Sequence, residues 1–104
     1  MSGINYNEYC RLQKEIEELS RKKNADYGCD SLIRFGNFGI LIRLSDKLDR
    51  LKSLYKNNKL QVTDEKLEDT LKDIVNYAMY MILQERNILV DNKLIKNDPT
   101  KKII

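Results

Sequence analysis

The chain has 104 residues, enough for one domain built on one modest core. Its 19 cations and 16 anions leave a formal charge of +3, too balanced to point to a polymeric nucleic acid as partner. Histidine is absent, so no His general base or His metal ligand is available, and any metal must rest on carboxylates, carbonyls or thiolates.

Residues 6 to 24 read as a helix. Tyr9, Leu12, Ile16 and Leu19 form its apolar stripe, and Glu8, Glu15, Glu17, Glu18, Arg21 and Lys22 cover the other faces. Residues 25 to 38 carry Gly28 and Gly36 and are bounded by Gly39, so they read as a loop. It also contains Leu32, Ile33, Phe35 and Phe38, so parts of it are expected to pack down. A second helix is expected from about 39 to 57, with Leu41, Leu44, Leu48, Leu51 and Tyr55 along one side, ended by Asn57-Asn58-Lys59. Thr63 is a natural N-cap for a third helix, with Asp64 and Glu65 in its first turn, where the helix dipole favours anions. That helix is expected to reach about residue 90, leaving 91–104 as a polar tail. No strand pattern, repeat or second domain is visible. The expected fold is all-α: a single domain over 1–90, a small bundle of three to four helices.

The segment Ile74 to Leu83 contains only one strongly polar residue, Asn76. A helix that is apolar all round is buried all round, and ten residues are too few to span a membrane. Three helices have difficulty surrounding one of their own, so the chain is expected to oligomerise with its long third helix at the centre. Cys10 and Cys29 form no CxxC, and no signal peptide or long apolar run is present. That usage fits a reducing cytoplasm, without zinc and without a membrane partner.

Charged residues are clustered. Asp46 and Asp49 are three apart on the second helix, and Glu65, Asp69 and Asp73 repeat every four on the third. These offsets share a helix face, where like charges repel by about 0.2–0.5 kcal/mol per pair. The third-helix stripe Glu65, Asp69, Asp73, Asn76 and Tyr80 has no lysine to relieve it. Either the stripe is a solvated face, or it meets a cation, and oxygen ligands suit hard metals such as Mg²⁺ or Mn²⁺. Arg43, Lys47 and Arg50 line one flank of the second helix as a ladder suited to phosphate, or else pair locally with Asp46 and Asp49. Tyr27, after Asp26, stands either as a base-stacking ring or as ordinary packing.

Three stretches, taken together in order and spacing, resemble a known family. They are Lys23-Asn24-Ala25-Asp26-Tyr27-Gly28, then Gly39 through Leu51 with Ser45-Asp46-Lys47-Leu48-Asp49-Arg50 at its heart, then Asp64 through Ala78. Across about residues 8 to 85 the chain resembles the nucleotide-modification-associated domain, a small family common in phages and bacteria. That family is similar to the MazG-like all-α NTP pyrophosphohydrolases. The resemblance implies an oligomeric helical bundle in a bacterial or phage-infected cytoplasm. It also implies Mg²⁺ or Mn²⁺ held by acids of two neighbouring helices, and a nucleoside triphosphate cleaved between its α and β phosphates. The MazG pattern is Glu-x-x-Glu followed by Glu-x-x-Asp. Here Asp46 and Asp49 keep the first spacing, while Asp69 and Asp73 are one residue wider.

On this reading Asp46, Asp49, Asp69 and Asp73 hold the metal, which activates the attacking water. Glu65 or Glu68 orients that water as a base. Arg43, Lys47 and Arg50 grip the phosphates, and Lys23, Asp26 and Tyr27 border the sugar or base. Two other readings stand beside it: a protein that sequesters a nucleotide or cyclic-nucleotide signal without turnover, and an oligomeric helical scaffold.

Overall fold

The computed structural model describes residues 3–27, 34–56 and 64–89; the side chains of Tyr27 and of residues 64–66 lie outside that description. The described residues form three helices and no strand: α1 (Tyr6–Tyr27), α2 (Gly36–Lys56) and α3 (Asp64–Glu85). The all-α expectation therefore holds. The expected cap at Thr63, the turn around Cys29 and the tail over 91–104 lie outside the described residues.

Each described helix end has a local cause. The Asn5 side chain accepts a hydrogen bond from the Glu8 amide (3.2 Å), which caps α1. α1 then runs through Asp26 and Tyr27, which the sequence assigned to the loop. α2 begins at Gly36, whose φ of +60° favours a residue without a side chain. That start is three residues before the expected one. α3 stops at Glu85 and does not reach 90. Asn87 takes φ 58°, its amide bonds the Gln84 carbonyl (3.0 Å), and the Ile88 amide bonds the Leu83 carbonyl (2.9 Å). That pair of bonds is a Schellman stop, with asparagine in the place usual for glycine.

α2 and α3 form an antiparallel pair and pack together far more extensively than α1 does with α3. The Asn37 amide, at the start of α2, donates to the Met81 carbonyl near the end of α3 (3.1 Å). Among the described residues the buried apolar ones are Ile16 of α1 and Ile40 and Leu54 of α2. Three polar residues of α3 are buried as well: Thr70, Asp73 and Asn76.

Within one chain α3 is not buried all round; burial on every side would require a second copy. Its buried residues among those described are Thr70, Asp73 and Asn76, while Asp69 of the stripe is exposed and Leu71, Val75, Met79 and Ile82 face outward, 41–52% exposed. Asp73 and Asn76 turn inward where Lys23, Lys47 and the Ile16 carbonyl meet their polar groups. On α1, only Ile16 and Leu19 of the apolar stripe pack, while Tyr9 and Leu12 are exposed. Phe35 and Phe38 do not pack down either: they are 68% and 70% exposed. Leu32 and Ile33 lie outside the described residues.

Candidate functional site

The site forms where the three helices meet. α1 brings Lys23, seven residues on from buried Ile16, two turns of helix that keep both on one face. α2 brings Lys47, with Arg43 one turn before it and Arg50 one turn after. α3 brings Asp73. Lys23 Nζ lies 2.6 Å from Asp73 Oδ1, and Lys47 Nζ lies 3.0 Å from Asp73 Oδ2. Each carboxylate oxygen thus holds one ammonium, from two different helices.

Burial alone pushes the Asp73 carboxyl up, since a charge is poorly solvated there. The hydrogen bonds from Lys23 and Lys47 more than reverse this and hold it below its ordinary value. Burial works against the charge on Lys23 too, but Asp73 wins, and the ammonium's pKa is raised. Both shifts favour the charged forms of Lys23 and Asp73.

Two hollows flank it. The first, about 270 Å³, is lined by Lys23, Lys47, Arg50 and Asp73, with Asp69, Thr70 and Leu19 completing its wall. The second, about 330 Å³, is lined by Arg43, Asp46, Lys47, Arg50 and Tyr77. Lys47 and Arg50 belong to both, so the hollows adjoin.

A seam of polar contacts fixes α1 against α3 beside this site. Asn76 donates to the Ile16 carbonyl (3.1 Å), and the hydroxyls of Ser20 and Tyr80 share a hydrogen bond. At the other side of the seam Lys72 bridges Glu15 (3.2 Å) and Glu68 (3.1 Å). These bonds raise the Lys72 pKa.

The structure brings together Lys23, Arg43, Lys47, Arg50, Asp46, Asp69 and Asp73 of the candidates read from sequence. Asp49 and Asp26 are exposed and line neither hollow, and Glu68 is held by Lys72. The side chains of Glu65 and Tyr27 lie outside the described residues. Tyr77, Thr70 and Leu19 line the hollows without having been singled out. One signal for the clamp was present: the acidic stripe lacks lysines of its own, and its cations come from α1 and α2 instead.

Residues 23–84 match the family described as nucleotide modification associated domain 1. The chain belongs to this family. The matched span opens at the clamp residue Lys23, and apart from Leu19 it contains every described residue that lines the two hollows. It starts later than the resemblance read from the sequence, leaving residues 6–22 of α1 outside. No curated protein and no solved structure matches the chain.

Proposed function

We propose that this chain binds a nucleotide by its phosphates in the hollow between α1, α2 and α3. The observation that carries the reading is the convergence of Lys23, Lys47 and Arg50 on one small hollow, with Arg43 in the adjoining one. Ammonium groups with protons left to donate, and guanidinium forks, are the usual partners of phosphate oxygens. Each lysine uses one proton on Asp73 and keeps two. The description of the family, nucleotide modification associated, agrees in kind.

The donors of the first hollow also bear on a divalent metal. Asp69, Asp73 and Thr70 offer oxygens, the right chemistry for Mg²⁺ or Mn²⁺. Both Asp73 oxygens, however, already hold ammonium groups. Among the described residues no three Asp, Glu or Cys side chains converge. This donor set suits an anion better than a divalent cation, so no step is drawn through a metal. MazG-like pyrophosphohydrolysis, in which water adds to the α-phosphorus and pyrophosphate leaves, is the second reading. What favours it is that Asp69 and Asp73 share a hollow with the phosphate-binding cations.

One experiment tests both. Each NTP and dNTP is titrated calorimetrically in EDTA, then incubated with Mg²⁺ or Mn²⁺ and the products separated. Binding in EDTA with intact ligand recovered supports the first reading, and metal-dependent release of pyrophosphate supports the second. Lys47→Ala is expected to weaken binding about tenfold or more, the worth of one charge-assisted contact. Absence of binding in both conditions sinks the proposal.

The oligomer expected from the sequence belongs to the same proposal. Leu71, Val75, Met79 and Ile82 lie at helical spacing on the outer side of α3, and a second copy of this chain is the occupant we assign to that stripe. A chain this short buries a smaller fraction of its unfolded surface than a larger domain does, and few apolar residues are buried among those described. Sedimentation giving a stable folded monomer at micromolar concentration overturns this. Met79→Lys is expected to disrupt assembly.

A further inference from the structure

We infer that Tyr77 is the platform for the nucleobase, so that the ligand is a nucleoside polyphosphate lying across both hollows. This rests on the phosphate-binding reading above and adds to it the class of ligand. The two hollows differ in chemistry. Among the described residues the first is walled by three cations, with Leu19 as its one apolar residue, so they supply charge for phosphates but no flat surface for a base. The second contains Tyr77, the one aromatic among the described residues of either lining.

Size argues the same way. Pockets for ligands of this size usually hold about 300–1,000 Å³. The first hollow is below that range and the second at its lower edge. Lys47 and Arg50 border both, so phosphates held by them in the first leave the base end of the same molecule at the second.

Tyr77 is also braced. It is half-buried, and Tyr80 meets its ring edge-on, with centroids 6.1 Å apart and planes at 78°. Tyr80 is in turn fixed by its hydrogen bond with Ser20 of α1. A ring whose orientation is set before the ligand arrives costs little further ordering on binding. Tyr77 also lines the second hollow together with Lys47, which pairs with Asp73 in the first. The platform and the phosphate clamp are therefore neighbours.

The test compares nucleoside triphosphates with inorganic tripolyphosphate, which carries the charge without the base. Calorimetric titrations in EDTA are run on the full chain and on Tyr77→Leu and Tyr77→Phe, with thermal melts to confirm folding. Tyr77→Leu is expected to weaken nucleoside triphosphates about 5- to 150-fold, the usual worth of one stacked base, and to leave tripolyphosphate binding unchanged. Tyr77→Phe, which keeps the ring, is expected to retain nucleotide binding. Equal losses for both ligands in Tyr77→Leu, or no loss for either, overturn the inference. If Tyr77→Leu does not fold, the natural chain still decides. Nucleotides bound no more tightly than tripolyphosphate remove the base platform but leave the phosphate site standing. Failure to bind either ligand removes the phosphate site itself.

Discussion

The two sides of α3 are held by different forces. Towards α2 the contact is long and largely apolar, with Ile40 and Leu54 buried and Leu44, Leu51 and Ile74 half-buried. Towards α1 the contact is short and polar: Asn76 on the Ile16 carbonyl, Tyr80 with Ser20, Asp73 with Lys23, Lys72 with Glu15. Apolar burial scales with area and ignores pH, whereas hydrogen bonds and ion pairs yield about 0.5–1.5 kcal/mol net and respond to pH and salt. The proposed ligand site sits where the two kinds of contact meet. The α2–α3 pair supplies a firm floor, and α1 adds Lys23 through a contact that chemistry can loosen.

The largest expected effect lies on the apolar side. Ile40→Ala empties a fully buried site and is expected to cost about 2–5 kcal/mol, read from the urea midpoint. A loss as small as that of an exposed helix residue would show that this side is not the firm one. Asn76→Ala comes next on the polar side. It removes a buried amide and its bond to α1, with an expected cost of about 1–3 kcal/mol. Hydrogen exchange should show α1 amides opening more readily than those of α2. Equal opening would abolish the contrast between the two sides.

Asp73→Asn should act through pH. The native carboxyl is held below its unfolded value of about 3.9, so its contribution is present above that value and disappears as pH falls through the folded pKa. Lys23 has the opposite sign: its pKa is raised, so its contribution is full below about 10.4 and is lost as pH rises through the folded value. Lys23 is about half exposed, so solvent screens its pair, and the variant is expected to lose about 1 kcal/mol at pH 7. Denaturation curves at several acid pH values should show the variant and the natural chain converging in stability. A constant difference across that range would mean that Asp73 acts through shape and not charge. At the small end, Arg21→Ala breaks an exposed pair with Glu17 within α1 and should change stability by less than about 0.5 kcal/mol.

Part of the site was legible because it is local. Arg43, Lys47 and Arg50 fall on one flank of any helix that contains them, whatever packs beside it. The acidic stripe without lysines showed that something had to answer its charge, though not what. Lys23 and Asp73 are 50 residues apart in sequence, and no periodicity joins them. Tyr77 was missed for a similar reason. It stands inside an apolar run, where a tyrosine reads as packing, and only the approach of α2 makes it the wall of a hollow.

The sequence by itself determined three helices and much of their extent, because apolar period and capping are written in neighbouring residues. It did not determine which side of α3 turns inward. Hydrophobicity alone sends Val75, Met79 and Ile82 inside. In the folded chain Thr70, Asp73 and Asn76 are the buried ones. Burying a polar group is costly only while it lacks a partner. For Asp73 and Asn76 the partners are Lys23, Lys47 and the Ile16 carbonyl, carried by other helices. Only their arrival in three dimensions made the polar face the inner one.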